Sequence, residues 1–200
     1  MTTNTHSGGH EHGLSLDAAL AFLNTLELES GRLVDHLHEP ADAGLWFVDQ
    51  GVLDPGETDA WGSADLARIR TTRGALRVVV DAVFEARPPD TRSVDTVNRA
   101  IGPAVGLRLE VEDGLVRVGH AHLGSSVDVA LAALAAPIVE ELASGRPDRF
   151  RICANDRCRW SFYDASPTGR RRWCDMRTCG NRAKAARHRE RARSGVEDPA

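Results

Sequence analysis

The sequence predicts a mainly α-helical chain with a small β-hairpin, an α+β class, whose last part is a compact cysteine-rich module ending in a basic helix. Three observations lead to this prediction. Apolar residues recur at steps of three and four through most of residues 16–143. A single segment alternates instead with a period of two. All four cysteines of the chain fall within 27 residues near one end, among many arginines.

The helical spacing defines five segments in the first part of the chain. Most of them carry a stripe of apolar side chains, which is typical of a helix that buries one face. Pro88 and Pro89 end the third and longest helix, and Pro137 inside the fifth predicts a kink or a restart. The five predicted helices span residues 16–29, 39–52, 63–87, 93–101 and 125–143.

Residues 107–120 alternate between apolar and polar side chains on both sides of an Asp-Gly pair. Asp-Gly at the centre of such a segment predicts a two-residue turn. This turn pairs Val111 with Val116 and Leu109 with Val118, so one face of the hairpin is apolar. Because a two-stranded hairpin is marginal alone, we expect that face to lie on the helices.

The charge of the chain is divided between two parts. The whole sequence of 200 residues carries a net charge of -4, but residues 146–193 hold fifteen of the 25 lysines and arginines and five of the 29 acids. Their net charge is therefore +10, which leaves -14 for the rest of the chain. Such asymmetry indicates a basic end that binds a polyanion.

Composition also indicates the domain organisation. A Ser-Gly-Arg-Pro break near residue 146 divides the chain into a flexible tail (1–14), a mostly helical N-terminal domain (15–146), a cysteine-rich module (147–193) and a second tail (194–200). No run reaches the roughly 18–20 apolar residues of a membrane span, and the polar start lacks the apolar stretch of a secretory signal. We therefore expect a cytoplasmic protein with no membrane partner.

The cysteines form two pairs, Cys153-x4-Cys158 and Cys174-x4-Cys179, joined by fifteen residues. Thiolates suit zinc, and four protein ligands complete its tetrahedron without leaving a position for water or substrate. The spacing predicts one structural Zn²⁺ in a small treble-clef or ribbon-like finger, where the metal replaces a missing core. Two disulfides or free thiols are an alternative, as is an iron–sulfur cluster or redox pair.

Apolar side chains and arginines surround the four cysteines in the sequence. We expect the apolar ones to cluster around the metal, because a module of this size has little core of its own. The arginines are expected to lower the pKa values of the thiols. The apolar residues are Phe150, Ile152, Trp160, Phe162 and Trp173.

Residues 153–193 resemble the CGNR zinc finger, a family named for the tetrapeptide that stands here at 179–182. The resemblance rests on both cysteine pairs, the Arg-Arg-Trp-Cys stretch at 171–174 and the basic helix that follows. In that family the finger usually follows a domain known as ABATE. Residues 20–25, Leu-Ala-Phe-Leu-Asn-Thr, resemble the motif that opens it, with Ala21 where an acidic residue is expected. The resemblance implies a bacterial transcription regulator, stress-induced in some members, that binds DNA.

The final helix, residues 181–193, mixes alanine with basic residues and contains one acid, Glu190. A helix so basic suits the phosphate-lined groove of DNA, and arginine can also read guanine edges. We expect the zinc module to direct this helix into the major groove. The predicted contacts are Arg182, Lys184, Arg187 and Arg191 near DNA, with Arg170, Arg171 and Arg172 clamping phosphates.

Other functions stay open at this point. The basic module could bind RNA or a protein, including the acidic domain of another copy, or could be a solvated tail. An enzyme with its site in the N-terminal domain is a weaker alternative, since the chain has no nucleophile elbow, phosphate-binding glycine loop or HExxH motif. We predict no catalytic residues. The N-terminal domain is expected to sense a small-molecule effector or to form a homodimer, because one small finger gives limited DNA affinity.

Overall fold

The structure is a computed structural model that describes residues 14–29, 31–102, 106–112, 115–121, 124–144 and 146–194. Six α-helices and three antiparallel strand pairs lie in these residues. The helices are α1 Leu16–Leu23, α2 Pro40–Asp49, α3 Ser63–Phe84, α4 Thr91–Ile101, α5 Ser126–Ala143 and α6 Asn181–Ser194. The strands are β1 Leu26–Glu29, β2 Arg32–Asp35, β3 Gly106–Glu112, β4 Leu115–Ala121, β5 Phe150–Ile152 and β6 Ser161–Tyr163. A 3₁₀ turn at Pro147–Arg149 and a π-helical turn at Met176–Gly180 complete the elements. The predicted class, mainly helical with a small hairpin, is confirmed.

Polar side chains cap the starts of most of the helices. Ser15 accepts a hydrogen bond from the Ala18 amide at 3.1 Å at the start of α1, and Asp90 accepts one from Ser93 at 2.9 Å at the start of α4. At α5, Ser125 and Asp128 cap each other's amides. These bonds satisfy amide groups that have no partner inside a helix. α5 continues through Pro137 without a break.

The hairpin β3–β4 has the predicted register. Val111 pairs with Val116 and Leu109 with Val118 in an antiparallel ladder. The Asp-Gly turn and the apolar face of this hairpin lie outside the described residues and side chains, so its packing on the helices stays a prediction.

The first predicted helix is too long. α1 ends at Leu23, and residues 26–29 form strand β1, which pairs with β2 in a hairpin turned at Gly31 (φ +83°). Leu26 continues the helical step of Leu20 and Leu23, but Leu-Glu-Leu-Glu also alternates, and pairing with Arg32–Asp35 satisfies its backbone. The tertiary pairing overrides the local helical pattern.

The main core lies between α1, α2, α3 and α5. Phe22 and Phe47 are completely buried, with ring centroids 5.2 Å apart, and Trp46 packs edge-on against both. Trp61 closes this aromatic group and donates to Ser126 Oγ at 2.8 Å. No helix in the described ranges is long and apolar enough to cross a membrane.

A buried arginine holds the β1–β2 hairpin on α3. Arg73, 3% exposed, donates to both carboxylate oxygens of Asp35 at 2.8 and 2.6 Å and to Thr25 Oγ1 at 2.8 Å. Burial acts to raise the pKa of Asp35, but the hydrogen bond and the charge of Arg73 lower it below the ordinary value. Asp35 therefore remains ionised and compensates a charge that is removed from water.

Replacing Asp35 with Asn should lower the free energy of unfolding at neutral pH by about 2 kcal/mol, because Arg73 would stay buried with a weaker partner. Because the folded-state pKa of Asp35 is lowered, this contribution is present above the ordinary value of 3.8 and is lost as the pH falls through the folded-state pKa. Urea unfolding followed by tryptophan fluorescence measures both effects.

The matched control is Glu85→Gln, which removes an acid from the exposed ion pair with Arg87. An exposed pair contributes little, so this variant should change stability by less than about 0.5 kcal/mol. Equal losses of unfolding free energy in the two variants would show that the burial of Arg73 does not increase the contribution of its ion pair.

Candidate metal centre and basic helix

The four cysteine sulfurs form one cluster. Their Sγ atoms all lie within 4.8 Å of one another, with Cys158 to Cys174 at 3.7 Å and Cys174 to Cys179 at 3.9 Å. A disulfide needs a sulfur separation of about 2.05 Å, and all four thiols are free. A Zn–S distance of about 2.3 Å in a tetrahedron places sulfurs about 3.8 Å apart. The four side chains therefore fit one tetrahedral zinc ion.

The first pair of cysteines is carried by a tight turn. The Asn155 carbonyl accepts from the amides of Cys158 at 2.8 Å and Arg159 at 3.0 Å, and Arg159 takes a left-handed conformation (φ +57°). The Asn155 side chain donates to Cys179 Sγ at 3.3 Å. This turn brings Cys158 back towards Cys153 and also links the first pair to the second.

The second cysteine pair lies just before the basic helix. Asp175 caps the π-helical turn by accepting from the Thr178 amide at 2.7 Å, and Cys179 lies inside this turn, 4% exposed. A Cβ on Gly180 would lie 2.7 Å from Sδ of Met176, so glycine allows the turn to close against that side chain. α6 starts at the next residue, Asn181, whose side chain donates to the Arg177 carbonyl at 3.1 Å. The Cys-Gly-Asn-Arg tetrapeptide thus contains one of the four clustered cysteines, the glycine that contacts Met176 and the first two residues of the helix.

Packing without a cation disfavours the charged form of two of the thiols. Burial and the charge of neighbouring cysteines raise the pKa values of Cys158 and Cys174. Burial acts in the same direction on Cys179, but hydrogen bonds, first of all from Asn155, lower its pKa. The expected lowering of the thiol pKa values by arginines is therefore wrong for Cys158 and Cys174. A bound divalent ion would supply the positive charge that stabilises four thiolates.

The five apolar residues of the module do not form one cluster around the cysteines. Phe162 packs with Cys153 and Cys179, and Trp173 lies against them. Phe150, in contrast, is completely buried in the main core of the N-terminal domain. Ile152 and Trp160 also lie outside the cysteine cluster. The expectation that all five residues surround the metal is therefore correct for Phe162 and Trp173 only.

An amide side chain directly after α1 docks the module on the N-terminal domain. Asn24 donates from Nδ2 to the Ser161 carbonyl at 2.9 Å and accepts from the Ser161 amide at Oδ1, also at 2.9 Å. Both residues are buried. Asn24 therefore pairs with strand β6 as a neighbouring strand would. Sequence patterns do not predict this contact, because the two residues are 137 positions apart.

Three further contacts join the two parts of the chain. Trp160 donates from its indole nitrogen to Glu27 at 2.6 Å, and the Tyr163 hydroxyl lies 2.5 Å from Glu141. The Arg77 guanidinium donates to the Arg159 carbonyl. The predicted division at residue 146 therefore separates two segments that share one packed interface.

Glu27 also belongs to an exposed group on the β1–β2 hairpin. His36 Nε2 lies 2.9 Å from Glu27 and 3.3 Å from Glu29. The sequence did not indicate carboxylates near this histidine, because the hairpin itself was missed.

A buried carboxylate organises the loop between the cysteine pairs. Asp164 is 0% exposed and accepts from the amides of Ser166 at 3.0 Å and Arg171 at 2.8 Å. Burial acts to raise its pKa, but these hydrogen bonds hold it below the ordinary value. Arg149 supports the same loop by donating to the Ser166 carbonyl at 2.6 Å.

The three arginines predicted to clamp phosphates differ in their surroundings, although all are exposed. The Arg171 guanidinium lies 5.1 Å from the Phe162 ring and donates to the Cys174 carbonyl at 2.7 Å. Arg172 lies over the Trp173 ring at 5.4 Å. Arg171 is therefore partly engaged in holding the module together.

The described side chains of α6 are exposed, apart from half-buried Ala183. The predicted contacts Arg182, Lys184, Arg187 and Arg191 all lie on this helix. Helical geometry, at about 100° per residue, separates them: the last three share one side, and Arg182 lies on the other. A helix of 14 residues with so little packing is marginal alone.

The N-terminal domain contains a cleft of about 380 Å³ between α3, α4 and α5. Arg68 donates to Asp128 at 2.5 Å on one side, and this bond, with those from Ser125, lowers the pKa of Asp128 to about 2. Arg99 lies on the rim and donates to Thr96 Oγ1 at 3.0 Å. The cleft combines polar groups with an apolar wall, as ligand-binding clefts do. That wall is formed by Ala64, Ala67, Ala100 and Leu131.

Comparisons with known proteins agree with this architecture. Residues 149–192 match the CGNR zinc finger, and residues 16–145 match the ABATE family, described as "Putative stress-induced transcription regulator". Because the ABATE match covers more than half of the chain, the protein belongs to that family, and it carries a CGNR zinc finger after the ABATE domain. No curated protein matches the chain.

The purified protein should contain one zinc ion per chain, and Cys158→Ser should lose it, because a tetrahedral site needs all four thiolates. Metal analysis by mass spectrometry measures the stoichiometry. Met176→Leu is the control, since this neighbouring sulfur is a thioether beside the site and the variant should keep one zinc. Loss of zinc from the control alone, or an unchanged zinc content in Cys158→Ser, would contradict the assignment.

Asn24→Ala should lower the free energy of unfolding by about 2–3 kcal/mol, because it leaves the buried amide and carbonyl of Ser161 without partners. Chemical unfolding of the zinc-loaded protein measures this loss. The control Asn98→Ala removes an exposed asparagine of α4 and should have little effect. A similarly small effect of Asn24→Ala would mean that the docking contact does not stabilise the fold.

Proposed function

We propose that this protein is a cytoplasmic DNA-binding transcription regulator in which a structural zinc ion presents α6 to the major groove. The observation that carries the proposal is the position of Cys179. This proposed metal ligand lies in the turn that leads directly into an exposed helix. That helix carries six basic residues and one acid. The metal therefore fixes the origin and direction of the most basic element of the chain.

The charge and dimensions of α6 suit DNA. Fourteen residues give a helix about 20 Å long, and the major groove, about 12 Å wide, admits an α-helix. Contacts between arginine and phosphate release counterions, which supplies most of the sequence-independent affinity. Arg170 and Arg172 lie exposed on the loop before the second cysteine pair and can contact phosphates beside the helix.

Zinc would be held by Cys153, Cys158, Cys174 and Cys179 and would have a purely structural role, because four protein ligands leave no open position. The proposal assigns no catalytic residue to the chain. Its chemistry is recognition, with the finger holding α6 and the N-terminal domain holding the finger.

The N-terminal domain would act as a sensing or dimerisation module. The cleft between α3, α4 and α5 offers a small-molecule effector both charge and apolar surface. A homodimer would add a second finger, and this matters because a single small module buries only about 600–1,000 Å² on DNA. The interface through Asn24 gives the N-terminal domain a direct mechanical connection to the finger.

Zinc-loaded full-length protein should bind a random-sequence DNA duplex in a fluorescence anisotropy assay. The logarithm of affinity should fall with the logarithm of salt concentration by about 0.9 for each phosphate contact. Removal of zinc with a chelator should abolish binding, because α6 would lose its anchor. Tighter binding to RNA than to the duplex, or no binding to either, would overturn the proposal.

The variant pair Arg182→Ala, Lys184→Ala should weaken binding and reduce the salt slope. The control pair Arg87→Ala, Arg92→Ala makes the same charge change at exposed positions of the N-terminal domain and should leave the slope unchanged. Equal effects of the two pairs would indicate a general charge attraction without a contribution of α6. Sedimentation of the protein without DNA tests whether the basic module instead binds the acidic domain of a second copy.

A further inference from the structure

The sides of α6 differ in charge in a way that the composition of the helix does not show. Among the described side chains of this helix, Ala183 alone is half-buried. We call the side of the helix on which Ala183 lies the inner side. Each residue turns by about 100°, which places Glu190 within about 20° of Ala183 and Arg187 within about 40°. Glu190, although exposed, therefore lies on the same side of the helix as Ala183.

The outer side of the helix is small and neutral. Asn181, Ala185 and His188 lie about 140–200° from Ala183 around the helix axis. All three side chains are exposed. Alanine lets a helix backbone come close to another surface, and the imidazole adds a hydrogen-bonding group that reaches further.

Basic side chains border this neutral strip on both sides. Lys184 and Arg191 lie about 80–100° from Ala183 in one direction. The opposite border, about 80–120° from Ala183 in the other direction, is formed by Arg182, Arg189 and Arg193. The helix therefore carries two basic rows on opposite sides, separated by the neutral outer strip.

We infer that α6 enters the major groove with Ala185 and His188 towards the base edges and with each basic row facing one of the two phosphate backbones. The inference rests on the DNA binding proposed above and adds the orientation of the helix and a residue that determines specificity. A groove presents phosphates on both sides and neutral base edges on its floor. The outer half of α6 matches this arrangement, because two basic rows lie on either side of a neutral strip.

His188 is the specificity-determining residue in this orientation. An imidazole N–H can donate to the acceptors N7 and O6 of guanine, and an unprotonated ring nitrogen can accept from an exocyclic amine. Ala185, one turn earlier, allows the close approach and can contact a thymine methyl group. The arginines of the two rows then supply affinity and register, which are contributions of phosphate contacts.

Two exposed arginines test the orientation. Arg189 belongs to a basic row, whereas Arg187 lies close to the inner side. In anisotropy measurements of the zinc-loaded full chain on a random-sequence duplex, Arg189→Ala should reduce the salt slope by about 0.9, and Arg187→Ala should leave it nearly unchanged. Alanine favours helix at both positions, and zinc content and circular dichroism verify that each variant is folded.

His188→Ala tests specificity separately. Wild-type protein first selects a preferred site from a random-sequence duplex library. The variant should lose about tenfold in its discrimination between that site and random duplex, while its affinity for random duplex stays near the wild-type value. Arg189→Ala should weaken binding to both duplexes by similar factors, because a phosphate contact does not depend on sequence.

The outcomes separate the two proposals. If the wild-type protein does not bind duplex DNA, the proposed function fails. If it binds, but Arg187→Ala reduces the slope as much as Arg189→Ala, the orientation is wrong while DNA binding stands. If it binds with unchanged discrimination in His188→Ala, the specificity role of His188 is wrong.

Discussion

The gathering of four sulfurs within 4.8 Å is the constraint on which the C-terminal quarter of the protein depends. The sulfur separations fit one tetrahedral cation, whose charge would stabilise the four thiolates. Once the cation is in place, both cysteine turns are fixed and α6 receives its starting point at Cys179. The small Phe162 cluster could not do this alone, since it consists mainly of the ligands themselves. Metal binding and the presentation of the basic helix are therefore one structural event.

A second constraint acts between the finger and the helical domain. Asn24 takes the place of a strand beside β6, and Phe150 from β5 fills the main core. Neither contact resembles the weak, polar interface of two domains joined by a linker. The finger and the N-terminal domain are therefore held together by hydrogen bonds and by a shared apolar core.

The sequence predicted what local chemistry determines. The period of two around Asp-Gly was sufficient for the register of β3–β4, and the cysteine spacing with the resemblance was sufficient for the metal centre. The β1–β2 hairpin was missed because Leu20, Leu23 and Leu26 continue a helical step through it. The role of Asn24 could not be read from residues 20–25, because its partner is determined by tertiary packing. The grouping of α6 side chains needed only helical geometry, but the identity of its inner side needed the burial of Ala183.

The position of Phe150 has a consequence for recombination. This residue lies inside the segment that matches the zinc finger family, yet its ring belongs to the core of the preceding domain, where it also meets Tyr163 edge-on. A finger moved into another protein would leave a cavity behind and carry an apolar surface without a cover. Exchange of fingers between relatives would thus succeed only when the receiving domain has an apolar cavity that fits the Phe150 ring. It would also need an asparagine at the end of its first helix. The two segments are expected to be inherited together as a single unit.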